Sequence, residues 1–291
     1  MATASPNPPP RDALSFPPSS RALLDPHLPS ADNTSSDAAL PFVTLTFATS
    51  LDSSLALAPG TQTALSGPES KAMTHYLRSR HDAILIGVGT AVADNPSLNC
   101  RIEGVGGYGG EGLKGQPRPI VIDPDVRWDF AAGGQLAKVL QLAKEGKGRA
   151  PWVVISHQVD FPVGKERVLE QLGGKLVTVR PTILSQGRRM LDWEDVFHAL
   201  KDEGIRSVMV EGGGAVINTL LRPQYEKLIS SVIVTIAPTW LGRGGVVVSP
   251  ERPTDARWGS SPAVRLKDAV WHPFGEDVVL CGKIRLHDED G

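Results

Sequence analysis

The feature that most constrains the fold is an alternation of short β-branched segments with helical patterns along residues 41–286. Parallel strands need crossover connections, and helices between the strands supply them. The alternation therefore predicts an α/β fold whose central sheet is largely parallel. The last third of the chain is richer in strands, so we expect the sheet to become mixed there. The predicted strands are residues 42–47, 83–88, 119–123, 152–156, 176–179, 207–210, 232–237 and 278–286.

The clearest helix signal lies just after residue 65. Ser66 and Glu69 have the spacing of a capping box, and Pro68 suits a position in the first turn. The helical period separates a buried apolar stripe from a polar face. The buried set is Met73, Tyr76 and Leu77; the set on or beside the exposed face is Lys71, His75 and Arg78. The other predicted helices are residues 135–144, 165–172, 193–203 and 215–221.

Proline and glycine mark the segments outside this pattern. Residues 1–40 hold eight of the 24 prolines and show no apolar periodicity, so we expect a disordered N-terminal tail. The tail lacks the apolar core of a secretory signal, and its acidic residues argue against a transit peptide. Residues 41–291 then form one domain, with a flexible glycine loop at 104–112 and a Gly/Pro/Ser-rich connection at 243–262.

Composition excludes several classes of protein. The 30 Lys+Arg and 32 Asp+Glu leave a formal charge of −2, which argues against a broad basic face for nucleic acid or anionic membranes. No run approaches the roughly 18 apolar residues of a membrane span. The two cysteines, without a Cys/His cluster, predict neither a disulfide framework nor a metal site. We therefore expect a cytoplasmic protein in a reducing compartment.

Two glycine segments at strand ends are candidate ligand sites. Residues 87–92 follow a predicted strand, but Val92 stands where a dinucleotide fingerprint needs its third glycine, so a Rossmann site is disfavoured. Thr90 and Asp94 still place a hydroxyl and a carboxylate at the carboxyl end of that strand, where open α/β sheets bind ligands. The alternative is a tight turn in which Asp94 bonds its own backbone.

The second segment is Glu211-Gly212-Gly213-Gly214, between a predicted strand and a predicted helix. Backbone N–H groups at such a helix start can bind a phosphate or pyrophosphate, with Glu211 at the rim as a hydrogen-bond acceptor. The alternative is that the glycines serve only close packing of helix against sheet. Arginine side chains bind phosphate oxygens in pairs, although each is often only a solvated surface residue. The candidates are Arg78, Arg101, Arg118 and Arg127.

Taken together and in order, these segments resemble the reductase domain of riboflavin biosynthesis. The resemblance is carried by residues 44–52, 77–78, 82–101, 119–123, 210–214 and 236–242. It implies a dihydrofolate-reductase-like, three-layer α/β/α fold with a mixed, largely parallel sheet, and a homodimer. It also implies use of NADPH to reduce the ribosylamino side chain of a diaminopyrimidinone 5′-phosphate to a ribitylamino chain. Because residues 1–40 are too short for the deaminase found in bacterial relatives, a stand-alone reductase of the fungal type is implied.

The resemblance also implies roles for particular residues. The implied NADPH contacts are Ala48, Thr90, Asp94, Gly212, Gly213 and Gly214. The implied substrate contacts are Arg78, Leu98, Arg101 and Glu211, with the arginines on the sugar phosphate and Glu211 near the pyrimidine. The proton that accompanies hydride transfer is left to Glu211, Asp52 or a water molecule. Many relatives have glycine after the Ser-Leu-Asp segment, whereas this chain has Ser53, which leaves the shape of that loop open.

Two other functions remain as alternatives. One keeps the fold and assigns a different pteridine or pyrimidine substrate, because a fold does not determine its chemistry. The other is a nucleotide-binding protein without catalysis, in which the Glu-Gly-Gly-Gly segment only holds a ligand. An unphosphorylated substrate would not need the arginines, and this distinguishes the first alternative.

Overall fold

The computed structural model describes residues 10–30, 32, 34, 38–185, 188–250 and 264–286. Within these residues the centre of the molecule is a nine-stranded sheet in the order β8-β9-β7-β1-β6-β2-β3-β4-β5. The strands are β1 Phe42–Thr49, β2 Ala83–Gly87, β3 Arg118–Ile122, β4 Trp152–Ser156, β5 Lys175–Val179, β6 Ser207–Glu211, β7 Ser231–Ile236, β8 Leu266–Phe274 and β9 Asp277–Ile284. The pairings from β7 through β5 are parallel, whereas β9 pairs antiparallel with both β7 and β8.

Helices cover both faces of this sheet. The α-helices are α1 Pro18–Leu24, α2 Pro68–Ser79, α3 Val88–Asp94, α4 Lys138–Lys144, α5 Val163–Gln171, α6 Trp193–Asp202 and α7 Gly214–Leu220. Side chains alternate between the faces along each strand, so Leu85 packs into the layer of α6 and α7 while Ile84 packs into the layer of α3, α4 and α5. The predicted α/β/α arrangement with a mixed, largely parallel sheet is confirmed.

Short elements complete the connections. Among the described residues, three 3-10 helices span Asp25–His27, Ala132–Gly134 and Pro223–Leu228. In the same part of the chain, three small strand pairs lie outside the main sheet: Ser54–Ala56 with Val246–Val247, Val105–Gly106 with Gly109–Gly110, and Pro181–Ser185 with Arg188–Leu191.

All eight predicted strands are present in the main sheet, but β8 was not predicted. Pro273 and a bulge around Asp268, whose φ is +54°, interrupt the pattern of this strand. Both features are tolerated because β8 lies at the edge of the sheet and pairs on one side only. The four other predicted helices exist with shifted ends, and the seven-residue α3 is not among the predicted helices.

Helix α2 differs from its prediction in two respects. Its N-cap is Gly67 rather than Ser66, and the Gly67 N–H donates to the Asp277 carboxylate of β9 at 2.9 Å, so the capping box is wrong. Met73, Tyr76 and Leu77 are buried as predicted. His75 is also buried, at 8% exposure, because the segment around Cys100 covers the face that was expected to be wet.

The prediction of a disordered tail over residues 1–40 is wrong for residues 10–30. Helix α1 forms there, and Phe16, Leu24 and Leu28 are buried against α2. The Phe16 ring stacks on Tyr76 with centroids 5.1 Å apart, and Leu14 forms a β-bridge with Ile102. Three spaced apolar residues among prolines have no helical or strand period, so pattern analysis missed them. Residues 1–9 lie outside the described part of the chain.

The glycine loop at 104–112 is packed rather than loose. Val105 and Tyr108 are buried, and Gln116 donates to the Gly106 carbonyl at 2.7 Å. A Cβ on Gly106 would lie 2.5 Å from the Gly112 carbonyl oxygen, so glycine is required there by close backbone approach. Of the predicted connection at 243–262, residues 251–262 lie outside the described part of the chain.

Candidate active site

The predicted site residues gather at the carboxyl ends of β1, β2 and β6, which are neighbours in the sheet. Loops and helix starts that follow parallel strands meet at this edge, which is where open α/β sheets bind ligands. Ala48 lies near the end of β1, half-buried and paired in register with Thr235 of β7. Arg118 begins β3 at the opposite edge and donates to the carbonyls of Ala150 and Gly173, so it does not belong to this site.

An ion pair joins helix α2 to the end of β6. Arg78 Nη2 donates to Glu211 Oε2 at 2.5 Å, and the side chains are 13% and 23% exposed. Arg78 Nη1 donates to the Asn99 carbonyl at 3.1 Å, while its buried Nε has no hydrogen-bond partner in the described structure. Most of the guanidinium is therefore committed to Glu211 and Asn99. These contacts favour a role for Arg78 in orienting Glu211 over the expected role of holding a phosphate.

A second bond joins the starts of α3 and α7. The Gly213 N–H donates to the Thr90 hydroxyl at 2.9 Å, which connects the two glycine segments across the sheet edge. At Gly213 a Cβ would lie 2.8 Å from that hydroxyl oxygen, and at Gly214 a Cβ would lie 2.5 Å from Val246 Cγ1. Gly212 has φ +152° and would bring a Cβ to 3.2 Å from Ile86. Close packing is thus sufficient to explain all three glycines, and the triplet alone does not argue for a phosphate site.

Asp94 ends α3 without the backbone bond that the turn interpretation required. Its carboxylate is half-buried, no hydrogen bond to it exists among the described residues, and burial raises its pKa above the ordinary value. The next residue, Asn95, is the C-cap of α3 and has φ +42°. Its side-chain oxygen accepts the Lys138 N–H at 2.9 Å. A partly buried carboxylate with no protein partner is suited to hydrogen-bond a ligand hydroxyl.

Leu98 and Arg101 lie on the segment that follows α3. Leu98 is buried and has φ +54°, a conformation that costs energy for a residue with a Cβ and is characteristic of functional segments. Arg101 is one-third exposed; its backbone N–H donates to His75 Nδ1 at 3.1 Å, and its Nη1 lies 3.6 Å from an Asp12 carboxylate oxygen. Its guanidinium is more accessible than that of Arg78 and remains the better phosphate ligand of the two.

Asp52 connects two loops rather than pointing at the strand ends. It accepts the Ser50 hydroxyl and the N–H groups of Leu241 and Gly242, the latter two at 3.2 and 2.7 Å. The hydroxyl of Ser50, followed by these backbone donors, lowers the Asp52 pKa below its ordinary value. A carboxylate held ionised in this way is a poor proton donor. The adjacent Ser53 adopts φ +60°, so the loop keeps the conformation that glycine favours.

Sequence reasoning missed three residues that contact the candidate site: His75, Asn99 and Asp12. A signal existed for His75, because positions i and i+3 share a helix face and Arg78 was already a candidate. Asn99 acts through its backbone carbonyl, and Asp12 lies in the segment that was expected to be disordered, so neither carried a local signal.

The part of the chain that the structure describes contains neither a cluster of metal ligands nor a membrane-spanning helix. No three His, Cys, Asp or Glu side chains are grouped closely enough there to hold a metal ion. Across the same residues, none of the helices combines the length and apolar character needed to cross a membrane.

The fold defines a class, an α/β/α reductase domain of the dihydrofolate-reductase type, and the candidate site lies at the carboxyl ends of its central strands. The RibD C-terminal domain family matches residues 41–280, and the chain belongs to this family. It is therefore an oxidoreductase.

Relatives that match nearly the whole chain have the same name. A 2,5-diamino-6-ribosylamino-4(3H)-pyrimidinone 5′-phosphate reductase of Debaryomyces hansenii is 38% identical over 271 residues, covering 93% of this chain and 98% of the relative. The reductase of that name in Saccharomyces cerevisiae is 39% identical and covers 90% of this chain and 94% of the relative. A solved structure of a Saccharomyces cerevisiae riboflavin biosynthesis reductase superimposes with a TM-score of 0.68 at 36% identity, over 91% of this chain and 98% of that one.

More distant structures share the fold. Acinetobacter baumannii RibD superimposes with a TM-score of 0.62 at 20% identity, covering 85% of this chain and 59% of that one. At this identity the likeness is evidence for the fold only.

Proposed function

We propose that this protein reduces the ribosylamino side chain of 2,5-diamino-6-ribosylamino-4(3H)-pyrimidinone 5′-phosphate to the ribitylamino form, with NADPH as the reductant. The observation that carries the proposal is the position of Glu211. Its carboxylate bonds Arg78, which also bonds the Asn99 carbonyl two residues before Arg101, while the residues after Glu211 form the turn bonded to Thr90. The end of one strand thus connects a group of candidate substrate residues to a group of candidate cofactor residues.

The candidate cofactor residues fit a nicotinamide dinucleotide. NADPH supplies a hydride, and the protein contributes binding and alignment. A Cβ on Gly89 would meet no described atom within 4 Å, so the first turn of α3 borders open space beside Thr90. The unpartnered carboxylate of Asp94 suits a ribose hydroxyl, and Ala48 leaves room at the end of β1. The turn of Gly212, Gly213 and Gly214 is then the near wall of the cofactor site.

The candidate substrate residues fit a phosphorylated diaminopyrimidine. An ionised carboxylate only accepts hydrogen bonds, so Glu211, held by Arg78, suits the amino groups of the pyrimidine ring. The partly exposed guanidinium of Arg101 suits the 5′-phosphate. Leu98 is buried three residues before Arg101, and we propose that it forms part of the apolar floor of this site.

Reduction of the ribosylamino side chain requires a proton as well as a hydride. The hydride adds to C1′ of the ring-opened sugar, where the C=N double bond to the pyrimidine amine becomes a single bond, and the nitrogen gains the proton. Asp52 is engaged by three donors and Glu211 by Arg78. Of the expected donors this leaves water, and we propose that water at this sheet edge supplies the proton.

The test is the loss of NADPH absorbance on addition of the ribosylamino phosphate. We expect turnover with the phosphorylated compound and a KM at least about tenfold higher with the dephosphorylated one, since charge-assisted contacts to phosphate contribute about 1.5–3 kcal/mol. Arg101→Ala should raise KM for the phosphorylated compound only. Equal rates for both compounds would favour a different pteridine or pyrimidine substrate. Tight NADPH binding without any turnover would favour the non-catalytic alternative.

A further inference from the structure

Arg127 is a candidate phosphate ligand that the site described above does not use. It lies in the loop after β3, its side chain is exposed, and no described residue forms an ion pair or hydrogen bond with its guanidinium. The acids two positions away on either side are paired with other cations. Asp125 accepts Arg189 Nη1 at 2.9 Å, and an Asp129 carboxylate oxygen lies 3.0 Å from Lys165 Nζ. The charge of Arg127 is therefore available to a ligand.

The backbone at Arg127 is fixed by a buried carboxylate. Asp123 is 1% exposed and accepts the N–H groups of Arg127 and Trp128 at 2.9 and 2.8 Å. Val126 has φ +55°, which costs a β-branched residue energy and persists only where its surroundings determine the backbone. Trp128 and Phe130 anchor the loop because both rings are buried. An exposed side chain on an ordered backbone loses less conformational freedom when it binds a ligand.

This loop leaves the sheet beside the start of α3. Ile122 pairs in register with Gly87, so the residues after β3 and β2 begin side by side, and α3 packs against β3. Trp128 belongs to the same apolar cluster as Val88 of α3. The loop that carries Arg127 is therefore next to the open space at the first turn of α3.

The candidate cofactor residues and Arg127 follow consecutive strands of the sheet. Ala48 lies near the end of β1, the glycine turn follows β6, Thr90 follows β2 and Arg127 follows β3. Neighbouring strands are about 4.8 Å apart, so β1 and β3 are separated by about 14 Å. An extended dinucleotide can lie along such an edge, with its nicotinamide at one end, its pyrophosphate in the middle and its adenosine at the other end.

Hydride transfer determines the direction of the cofactor along this edge. The nicotinamide must face the substrate, and the candidate substrate residue Glu211 ends β6, which lies between β1 and β2. Helix starts favour the negative pyrophosphate, and α7 and α3 begin after β6 and β2. With the nicotinamide near Glu211 and Ala48, the adenosine end extends from β2 towards β3.

We propose that the Arg127 guanidinium binds the 2′-phosphate on the adenosine ribose of NADPH and makes the protein prefer NADPH to NADH. The two cofactors differ only in this phosphate, and a guanidinium binds phosphate oxygens in pairs. The inference rests on the proposed function for the use of a nicotinamide cofactor. It adds the residue that determines which of the two cofactors is used. Arg127 is a specificity residue, because it lies at the end of the cofactor remote from hydride transfer.

Kinetics with the two cofactors test this role. We expect Arg127→Ala to raise KM for NADPH about tenfold or more, with KM for NADH and both kcat values within about twofold of the wild type. The reason is that the lost contact binds the ground state and the transition state equally. Arg127→Lys keeps the charge but loses the paired donors, so its KM for NADPH should lie between those of the wild type and Arg127→Ala.

Arg180 provides a matched control. It is also exposed, and it follows β5, which lies two strands beyond β3 in the sheet. Arg180→Ala should leave both KM values unchanged. Equal changes of KM for NADPH and NADH in Arg127→Ala, or a wild-type KM for NADPH in that variant, would overturn the proposal.

A binding measurement tests the site without the substrate. Adenosine 2′,5′-bisphosphate and adenosine 5′-monophosphate are titrated by calorimetry into the wild-type protein, Arg127→Ala and Arg180→Ala. We expect the wild-type protein and Arg180→Ala to bind the bisphosphate at least about tenfold more tightly than the monophosphate, and Arg127→Ala to lose this difference. Equal wild-type affinities, or a preference that persists in Arg127→Ala, refute the proposal. If the preference depends on Arg127 but the ribosylamino phosphate is not reduced, the proposed function fails while the 2′-phosphate site stands.

Discussion

The role of a residue at this site depends on which of its atoms are already bonded. Arg78 and Arg101 are the same residue type, yet Arg78 uses both terminal nitrogens on Glu211 and Asn99 while Arg101 keeps a partly exposed guanidinium. Glu211 and Asp52 are both acids, yet they have different partners. Glu211 accepts from Arg78, whereas the Asp52 carboxylate accepts from the Ser50 hydroxyl and two backbone N–H groups. Chemistry at such a site follows the unsatisfied groups, because bonded ones must first lose a partner.

Ser53 carries a testable local strain. Its φ of +60° costs a residue with a Cβ about 1–2 kcal/mol, and glycine avoids this at an entropic cost of about 0.5–1 kcal/mol. We expect Ser53→Gly to increase the free energy of unfolding by about 0.5–1 kcal/mol in denaturant titrations. Ser53→Ala keeps the strain and should be neutral, so equal effects of the two variants would contradict this account.

Variants of Asp52 test whether this acid stabilises the fold or donates the proton in catalysis. Its pKa is lowered in the folded state, so its contribution to stability is present above the unfolded value of 3.8 and is lost as the pH falls through the lower folded value. We expect Asp52→Asn to lower Tm at neutral pH and to match the wild type well below pH 3.8. The variant should keep kcat within about tenfold of the wild type, because general acid catalysis contributes about a hundredfold or more. A larger loss of kcat in a folded variant would make Asp52 the proton donor.

At the scale of elements, the main strands were predictable and several connections were not. Runs such as Val232 to Ile236 consist entirely of β-branched residues, which favour a strand through their local conformational preference. Strand β8 contains Pro273 and a bulge, and it forms only because β9 offers it an edge. Helix α1 depends on the apolar surface of α2 in the same way. Elements that are stabilised mainly by contacts with another element show little hydrophobic periodicity in their own sequence.

The ordering of residues 10–30 can be tested at Phe16. Its ring is 2% exposed and stacks on Tyr76 and Phe274, with centroids 5.1 and 6.1 Å away. We expect Phe16→Ala to lower the free energy of unfolding by about 3–5 kcal/mol, as for other fully buried aromatic side chains. Leu23, at 42% exposure, is a control on the same segment, and Leu23→Ala should change stability little. A neutral Phe16→Ala would show that this segment is not packed in solution.

At the scale of the whole molecule, the β8 edge of the sheet exposes apolar side chains. Strand β8 ends the sheet, with Val270 and Trp271 at 41% and 57% exposure. Exposed apolar edge strands invite pairing with another chain. Together with the homodimer implied by the resemblance, this favours β8 as part of a dimer contact.

Light scattering tests the dimer directly. We expect about twice the chain mass of 31.0 kDa for the wild-type protein and a shift towards the single-chain mass for Trp271→Glu. Trp240, which is 72% exposed and outside the main sheet, is the matched control, and Trp240→Glu should leave the mass unchanged. A monomeric wild-type protein would contradict the dimer. A Trp271→Glu variant that stays dimeric would show that the dimer contact does not depend on β8.

The sequence by itself determined eight of the nine strands of the main sheet, the largely parallel α/β character of the fold, and which residue types follow the strand ends. These properties arise from neighbours along the chain, where side-chain period and turn chemistry act locally. Only the tertiary structure decided the pairs: Arg78 meets Glu211 across 133 positions of sequence, and Thr90 meets Gly213 across 123. It also buried His75 of α2 beneath the segment around Cys100. The spatial order of the strands in the sheet determines such contacts, and the local periodicity of the sequence does not specify that order.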